Sequence, residues 1–386
     1  MNKKKILFLS RGFVYNFENN IHAAKYDLFK KDFCGDIVQV VNNKNYKLVN
    51  NGSFNYVGCY ISPFLLHKTF ILNIYFFFWS LYLIGSKKKD ERYDVIIACD
   101  ALVAAPIAAI ASKIFRVPLI TEFNGNYISE HVWNNNSFAT SIKKRLVKLI
   151  IPFVAKFSSS VRLLYPTQLD GYNFNIDTIK KYLIHEFVPI EGFKYGESIL
   201  HDSKYILFLG GPFLLKGVDL LVASYKNICK KHPNIELKIY GWSEGDEQVQ
   251  LEAMAQECEN INFYRPVNYN EAIDLIRKCE FLVLPSRTEA MGRVLLESMA
   301  FGKPVIGANV DGIPTYLDDG EVGLLFESEN SNELTEKLEM LLSDKALFER
   351  LGKNARESVM NKYTETIYFH KYKKMINETI EIFQKS

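Results

Sequence analysis

Two doubly wound α/β domains are the fold class that the sequence predicts, on three observations. The chain has 386 residues, more than one ordinary core takes up, so two domains are expected. Short apolar runs such as Ile6–Leu9, Tyr205–Leu209 and Phe281–Leu284 alternate with helical patterns, which is the β–α–β order of parallel sheets. Several of these runs break into glycine at their carboxyl ends, where open α/β sheets bind ligands. The composition, 48% hydrophobic and 24% charged without low-complexity tracts, is that of a globular protein. Cys34, Cys59, Cys99, Cys229, Cys258 and Cys279 are scattered without a C-x-x-C pair. They are read as free thiols of a reducing compartment, not as a disulfide scaffold or a zinc site.

In the first half, Met1 to Ser10 has too short an apolar run for a signal peptide and reads as a buried strand. It runs into Arg11, Gly12 and Phe13, without a G-x-G-x-x-G. A helix carries Ala23, Ala24, Leu28 and Phe29, and residues 36–41 form the next strand. The Asn-rich stretch 42–55 is expected to be a surface loop or hairpin. Residues 70–84 read as a helix in which thirteen of fifteen residues are apolar. It is shorter than the roughly 20 residues that span a bilayer, yet it barely shows the polar outer face of a helix on a sheet. Tyr93–Ala98 is a strand, Ala101–Ser112 a small-residue helix, and Pro118–Thr121 a strand opening into Glu122, Phe123, Asn124, Gly125 and Asn126. Residues 141–157 combine basic and apolar residues at helical spacing, with Pro152 as a kink or break. Residues 161–165 and 182–187 supply the last strands, and the boundary is expected near 195, in the loop 189–203.

The second half opens with the strand 205–209, which leads through Gly210 and Gly211 to Lys216, Gly217 and a helix. Strands at 237–241 and 262–267 and a helix at 270–278 precede the stretch 284–303. There an apolar strand turns at Pro285 and Ser286, and a helix starts near Met291 and stops by Gly302 and Pro304. Glu289 lies in the loop and Glu297 about two turns into the helix, ~9 Å along its axis. Between them the free N–H groups of the first turn make a phosphate site, and Gly292 permits close backbone approach. A diphosphate with a carboxylate on either side for hydroxyl groups describes a nucleotide sugar. The plainer alternative is two surface glutamates flanking an ordinary helix. Residues 304–307 form the next strand, with Asp311, Gly312, Ile313, Pro314 and Thr315 at its end, and helices at 334–342, 346–360 and 364–383 complete the chain.

At Glu289-Ala-Met-Gly-Arg-Val-Leu-Leu-Glu297 the sequence resembles the family-4 (group 1) retaining glycosyltransferases of GT-B fold, whose signature is Glu, seven residues, Glu. The resemblance is specific over about 204–362 and faint before it. It implies two Rossmann-like domains facing across a cleft: an acceptor-binding domain at 1–195 and a nucleotide-sugar donor domain at 196–363. The segment 364–386 is expected to cross back onto the first domain. It implies Glu289 beside the donor sugar, Glu297 on the ribose and Lys216 on the diphosphate. Gly210, Gly211, Arg265, Ala290, Met291, Arg293 and Val294 complete the implied donor-binding set. The family writes Gly-Arg before its Lys-Gly, and here Gly211 stands at the Arg position, with Arg293 as the candidate substitute. Glu122 is expected to help bind or deprotonate the acceptor, and Gly12, Asn124, Gly125 and His131 to lie on the acceptor side. No Asp-x-Asp occurs, so no metal and no cofactor are expected, the donor being a UDP- or GDP-sugar.

The expected function is retaining transfer of a sugar to a hydroxyl, on a glycan or lipid-linked glycan of cell-envelope polysaccharide synthesis. The alternatives are a nucleotide-sugar epimerase or hydrolase of the same fold, or a non-catalytic partner protein, which the altered Gly211 and Asn124-Gly125 positions keep open. Residues 1–190 hold 24 Lys+Arg against 13 Asp+Glu, and the remainder 23 against 31. A basic first half points to an anionic partner. Nucleic acid is not expected, since no recognition motif accompanies the charge. Peripheral contact with an anionic membrane through 70–89 and 141–157 is expected, in a cytoplasmic protein at the inner face of the cell membrane. The plainer alternatives are a helix at 70–84 covered by a loop or a second subunit, and at 141–157 an ordinary crossover helix with a solvated basic face.

Overall fold

The computed structural model describes residues 3–13, 23–46, 48–62, 69–133, 138–172, 174–175, 178–190 and 204–385. It divides into two compact units, Met1–Asn124 with Asn136–Ile184 and Phe369–Ser386, and Gly125–Asn135 with His185–Tyr368. The boundary expected at 195/196 lies outside the described residues.

The first unit runs β1 (Lys4–Phe13), α1 (Ala23–Phe29), β2 (Phe33–Val41), β3 (Leu48–Asn51), β4 (Phe54–Tyr60), α2 (Thr69–Gly85), β5 (Val95–Ala98), α3 (Ala104–Phe115), β6 (Leu119–Glu122), α4 (Phe138–Phe157), β7 (Ser160–Leu163) and β8 (Lys180–Leu183). Its sheet has the order β3-β4-β2-β1-β5-β6-β7-β8, parallel except for the antiparallel β3–β4 pair. The Asn-rich stretch is thus a hairpin at the sheet edge, turned by Gly52 at φ 68°. Alternation along the strands divides the core into two layers. Leu7, Leu9, Val38 and Val40 face α2, α3 and α4. Phe8, between them in β1, packs on Tyr26, Phe29 and Phe54. Helix α4 runs through Pro152 without ending there.

The second unit runs β9 (Lys204–Gly210), α5 (Val218–Lys226), β10 (Ile235–Gly241), α6 (Glu247–Ala255), β11 (Ile261–Tyr264), α7 (Tyr269–Lys278), β12 (Phe281–Leu284), α8 (Arg293–Ala300), β13 (Val305–Ala308), α9 (Pro314–Leu317), β14 (Leu324–Phe326), α10 (Ser331–Ser343) and α11 (Lys345–Lys362). All six strands are parallel in the order β11-β10-β9-β12-β13-β14, the 3-2-1-4-5-6 order of a Rossmann sheet. Strands β9 and β12 are neighbours on either side of the point where that order reverses. Their carboxyl-end loops are the Gly210–Gly217 loop and the Pro285–Gly292 loop, so the topology itself brings the two glycine-bearing motifs together. The final helix, α12 (Glu365–Lys385), crosses back, its residues from Phe369 onward belonging to the first unit. Phe369 and Tyr372 pack edge-on to Phe29, and Thr379 shares a 2.6 Å hydrogen bond with Ser160.

One expectation about the thiols is corrected. Cys229 and Cys258 form a disulfide, with Cα atoms 6.5 Å apart. They follow α5 and α6, whose packing against each other brings the two positions together. Cys34, Cys59, Cys99 and Cys279 are free.

Candidate functional site

Loop closeness in the second unit is enforced by glycine. Gly217 begins α5 at φ 69°, and a Cβ there would stand 1.9 Å from the Pro285 carbonyl oxygen. Only a residue without a side chain lets the two loops touch. Gly292 begins α8 at φ 59°, and a Cβ there would meet Leu284 Cδ2 at 2.8 Å. The backbone conformation and the packing therefore both demand glycine at 292, whatever ligand approaches.

Across this contact, Lys216 Nζ lies 2.6 Å from Glu289 Oε2, with both side chains largely covered. Glu289 Oε1 accepts from the Met291 N–H at 3.4 Å, at the entrance to α8. Behind the pair, the Asp311 carboxylate accepts from the Thr288 hydroxyl at 2.6 Å, the Glu289 N–H at 3.0 Å and the Asn126 amide at 2.7 Å. Asp311 holds a left-handed φ of 46° to do so. Next to it, the Gly312 N–H donates to the Glu289 carbonyl, and a Cβ on Gly312 would stand 2.1 Å from the Ala290 oxygen. Arg287 fastens the two loops from the other side. Its guanidinium forks onto Asp219 at 2.7 and 2.8 Å, reaches Glu329 and the Leu214 carbonyl, and is held in its charged form by these partners. The Lys216–Glu289 pair is thus set in a frame of fixed loops.

Glu297 lies on the first turns of α8, buried, with its carboxyl pushed above the ordinary carboxylate range by that burial. Arg293 Nε stands 3.1 Å from Glu297 Oε1 as an ion pair rather than an aligned hydrogen bond. The guanidinium stacks over the Tyr269 ring at 5.7 Å. Arg293, expected to stand in for a missing cation on the diphosphate, is accordingly turned to Glu297, one helical turn on. Val294 follows it half-buried, and Ala290 and Met291 line the loop before it.

Gly210 ends β9, and Gly211 stands where the family has Arg. A Cβ at 211 would stand 2.7 Å from the Trp242 indole and 2.9 Å from its carbonyl oxygen. The indole fills the space that an arginine stem would need. Arg265 lies exposed just after β11.

In the first unit, Gly12 and Asn124 lie at the carboxyl ends of β1 and β6, the Asn124 amide bonding the Cys99 carbonyl at 2.8 Å. The Glu122 expectation is corrected. Its carboxylate is 1% exposed, with Lys25 Nζ at 2.8 and 3.2 Å from its two oxygens and Arg162 Nη1 at 3.7 Å. A carboxylate enclosed by two buried cations is the centre of a structural ion cluster, not a group free to take a proton from an acceptor. Gly125 and His131 belong to the segment Gly125–Asn135 that groups with the second unit, where Asn126 bonds Asp311. They do not share a unit with Gly12 and Asn124.

Arg287, Asp219, Asp311, Thr288, Tyr269 and Trp242 were not singled out from sequence. Arg287 sits inside the signature stretch and Asp311 inside the next loop, so position hinted at both. The partners that give them meaning are distant in the chain. Among the described residues no cluster of three or more His, Cys, Asp or Glu side chains is placed to hold a metal ion.

Residues 193–358 match the model of the family described as glycosyl transferases group 1. An uncharacterized glycosyltransferase of Methanocaldococcus jannaschii is 34% identical over 156 residues, 40% of this chain and 43% of that protein. The capsular polysaccharide biosynthesis glycosyltransferase CapM of Staphylococcus aureus is 28% identical over 180 residues, 47% of each chain. The chain thus spans about half the length of these relatives. Among solved structures, the sucrose-phosphate synthase of Thermosynechococcus elongatus superposes with a TM-score of 0.76 at 18% identity, over 100% of both chains. Anabaena HepE in complex with UDP and glucose superposes with a TM-score of 0.69 at 16% identity, over 97% of this chain and 100% of that one. The fold is therefore GT-B, and over residues 193–358 the chain is similar to the group 1 glycosyltransferases.

Proposed function

We propose that this protein moves a sugar from a nucleotide-diphosphate sugar, a UDP- or GDP-sugar, to a hydroxyl acceptor, with retention at the anomeric carbon and without a metal ion. The observation that carries the reading is the Lys216–Glu289 pair, fixed beside the start of α8 at the reversal point of the second sheet. In that role Lys216 and the first N–H groups of α8 receive the charge that grows on the departing diphosphate. Glu289 orients the donor sugar and Glu297, with its neighbour Tyr269, receives the ribose hydroxyls. The acceptor oxygen bonds the anomeric carbon as the bond from that carbon to the phosphate oxygen breaks. The electron pair leaves with the nucleoside diphosphate, which also takes the acceptor's proton. Gly12, Asn124, Gly125 and His131 are the acceptor-side candidates of this reading. The acceptor is a glycan or lipid-linked glycan of envelope polysaccharide synthesis; the named role of the capsular relative supports that class.

The experiment is a thermal-shift series with UDP, GDP, ADP and their sugars, with and without EDTA. A ligand that binds the folded protein raises its Tm by mass action. Stabilisation by one nucleotide, insensitive to EDTA and lost in Lys216→Ala, is expected. A flat response to every nucleotide would remove the proposal. Free sugar or isomerised nucleotide sugar as the sole product would replace transfer by hydrolysis or epimerisation.

A further inference from the structure

The first unit carries an apolar outer face that no packing among the described residues covers. Helix α2 buries Leu72, Phe76, Ser80 and Ile84 at a four-residue spacing. On its opposite side Phe70, Ile74, Phe78 and Tyr82 repeat at the same spacing and stand exposed, Phe70 by 77%, Phe78 by 65% and Tyr82 by 75%. An α-helix on a sheet normally turns charge outward on that side. Helix α4 repeats the arrangement: Val147, Ile151 and Val154 are buried, while Ile142, Leu146, Leu149 and Phe153 lie about half a helical circumference away and are exposed. Between these helices sits α3, which packs against both. It presents Ile110 and Ile114 outward, a contribution that the sequence alone did not show. Three neighbouring helices therefore share one apolar outer surface.

Its charge is one-sided. Helices α2, α3 and α4 contain no Asp or Glu. Helix α3 carries Lys113, and α4 carries Lys143, Lys144, Arg145, Lys148 and Lys156. By helical spacing Arg145, Lys148 and Lys156 fall to one side of the exposed α4 stripe and Lys143 to the other. An apolar strip with a cationic border fits a phospholipid surface, hydrocarbon under the strip and phosphates at the border. It suits a water-facing role poorly, since exposed apolar area of this kind marks interaction sites. No described helix is long and apolar enough to cross a membrane, so the fitting mode is lateral contact. We infer that the α2–α3–α4 face docks on an anionic bilayer, with the apolar stripes entering the headgroup boundary and the α3 and α4 cations meeting lipid phosphates. The docking is independent of the proposed nucleotide-sugar binding, whose residues belong to the second unit.

The test is flotation of the full chain with vesicles of phosphatidylglycerol and phosphatidylcholine, against vesicles of phosphatidylcholine alone. Binding to the anionic vesicles at low salt is expected, at least tenfold weaker in the double variant Phe70→Glu/Phe78→Glu and in Lys143→Glu/Arg145→Glu. These positions are solvent-exposed, so Tm should hold in both variants, and any nucleotide-induced thermal shift should equal that of the parent. Absence of flotation at low salt, or undiminished binding by both variants, would overturn the inference. A concentration-dependent dimer that Phe70→Glu/Phe78→Glu dissolves, without vesicle binding, would also overturn it and give the face to a second copy. Loss of the nucleotide response in the parent would refute the proposed transfer without touching the bilayer contact.

Discussion

Arg287→Ala tests whether the site depends on the clasp between its two loops. The guanidinium donates two charge-assisted hydrogen bonds to Asp219, at 2.7 and 2.8 Å, with side chains 15% and 25% exposed. Removing it leaves Asp219 without its cation and the Leu214 carbonyl without that donor. Hydrogen bonds to charged groups in such partly covered settings contribute about 1.5–3 kcal/mol. Glu329 is 49% exposed, so its share is screened to at most about 1 kcal/mol. Together these give a loss of about 2–4 kcal/mol, or a Tm lower by about 4–16 °C for a unit of this size. Arg287→Lys should recover only part, because one compact ammonium cannot serve Asp219 and Glu329 together. The assay is thermal unfolding paired with titration of the stabilising nucleotide. Affinity should fall at least tenfold in Arg287→Ala, because Lys216 and Glu289 ride on the two loops that Arg287 joins. A variant with the parent's Tm and the parent's affinity would refute the reasoning.

Two further outcomes follow from the first unit. Glu122→Gln takes from Lys25 and Arg162 the buried carboxylate that they share and should cost about 3–5 kcal/mol in urea unfolding; an unchanged midpoint would deny the cluster its structural role. Asp36 is pushed upward by burial, but hydrogen bonds from Lys87, Tyr93 and Asn55 outweigh this and hold its carboxyl below the ordinary 3.8. A depressed folded value gives stability that is present above the unfolded value and is lost as pH falls through the folded one. Stability of the parent should therefore decline below pH ~4 more steeply than that of Asp36→Asn; parallel acid-unfolding curves would contradict the assignment.

The parts of the fold written in local pattern were legible, and the parts made by distant partners were not. The run Phe281–Leu284, the glycines at 217 and 292 and the stop at Gly302 carry their meaning within a few residues, so the strand–loop–helix around Glu289 could be read directly. Strand β14 has three residues, too few for a periodic signal, and it was missed. Strand β8 falls at Lys180–Leu183, earlier than the apolar run 182–187 implied, because its pairing with β7 and not its hydrophobicity sets its ends. Glu122 read as a site residue because it follows a strand. Its enclosure depends on Lys25 and Arg162, far away in the chain on α1 and β7. The same holds for the Cys229–Cys258 bond, whose partners are 29 residues apart.

The pairing of Gly211 with Trp242 restricts the order in which this chain could change. An arginine at 211 has no room while the indole stands there, and a smaller residue at 242 without that arginine uncovers the turn and leaves the loop no cation in exchange. The backbone carbonyl oxygen of residue 242 stands 2.9 Å from where a Cβ at 211 would lie as well, so removing the indole alone does not open position 211 to a side chain. A chain that had taken the tryptophan would be held to glycine at 211 by sterics alone. What reads in one dimension as a lost binding residue is, in the fold, a turn packed so closely on residue 242 that glycine is what fits there.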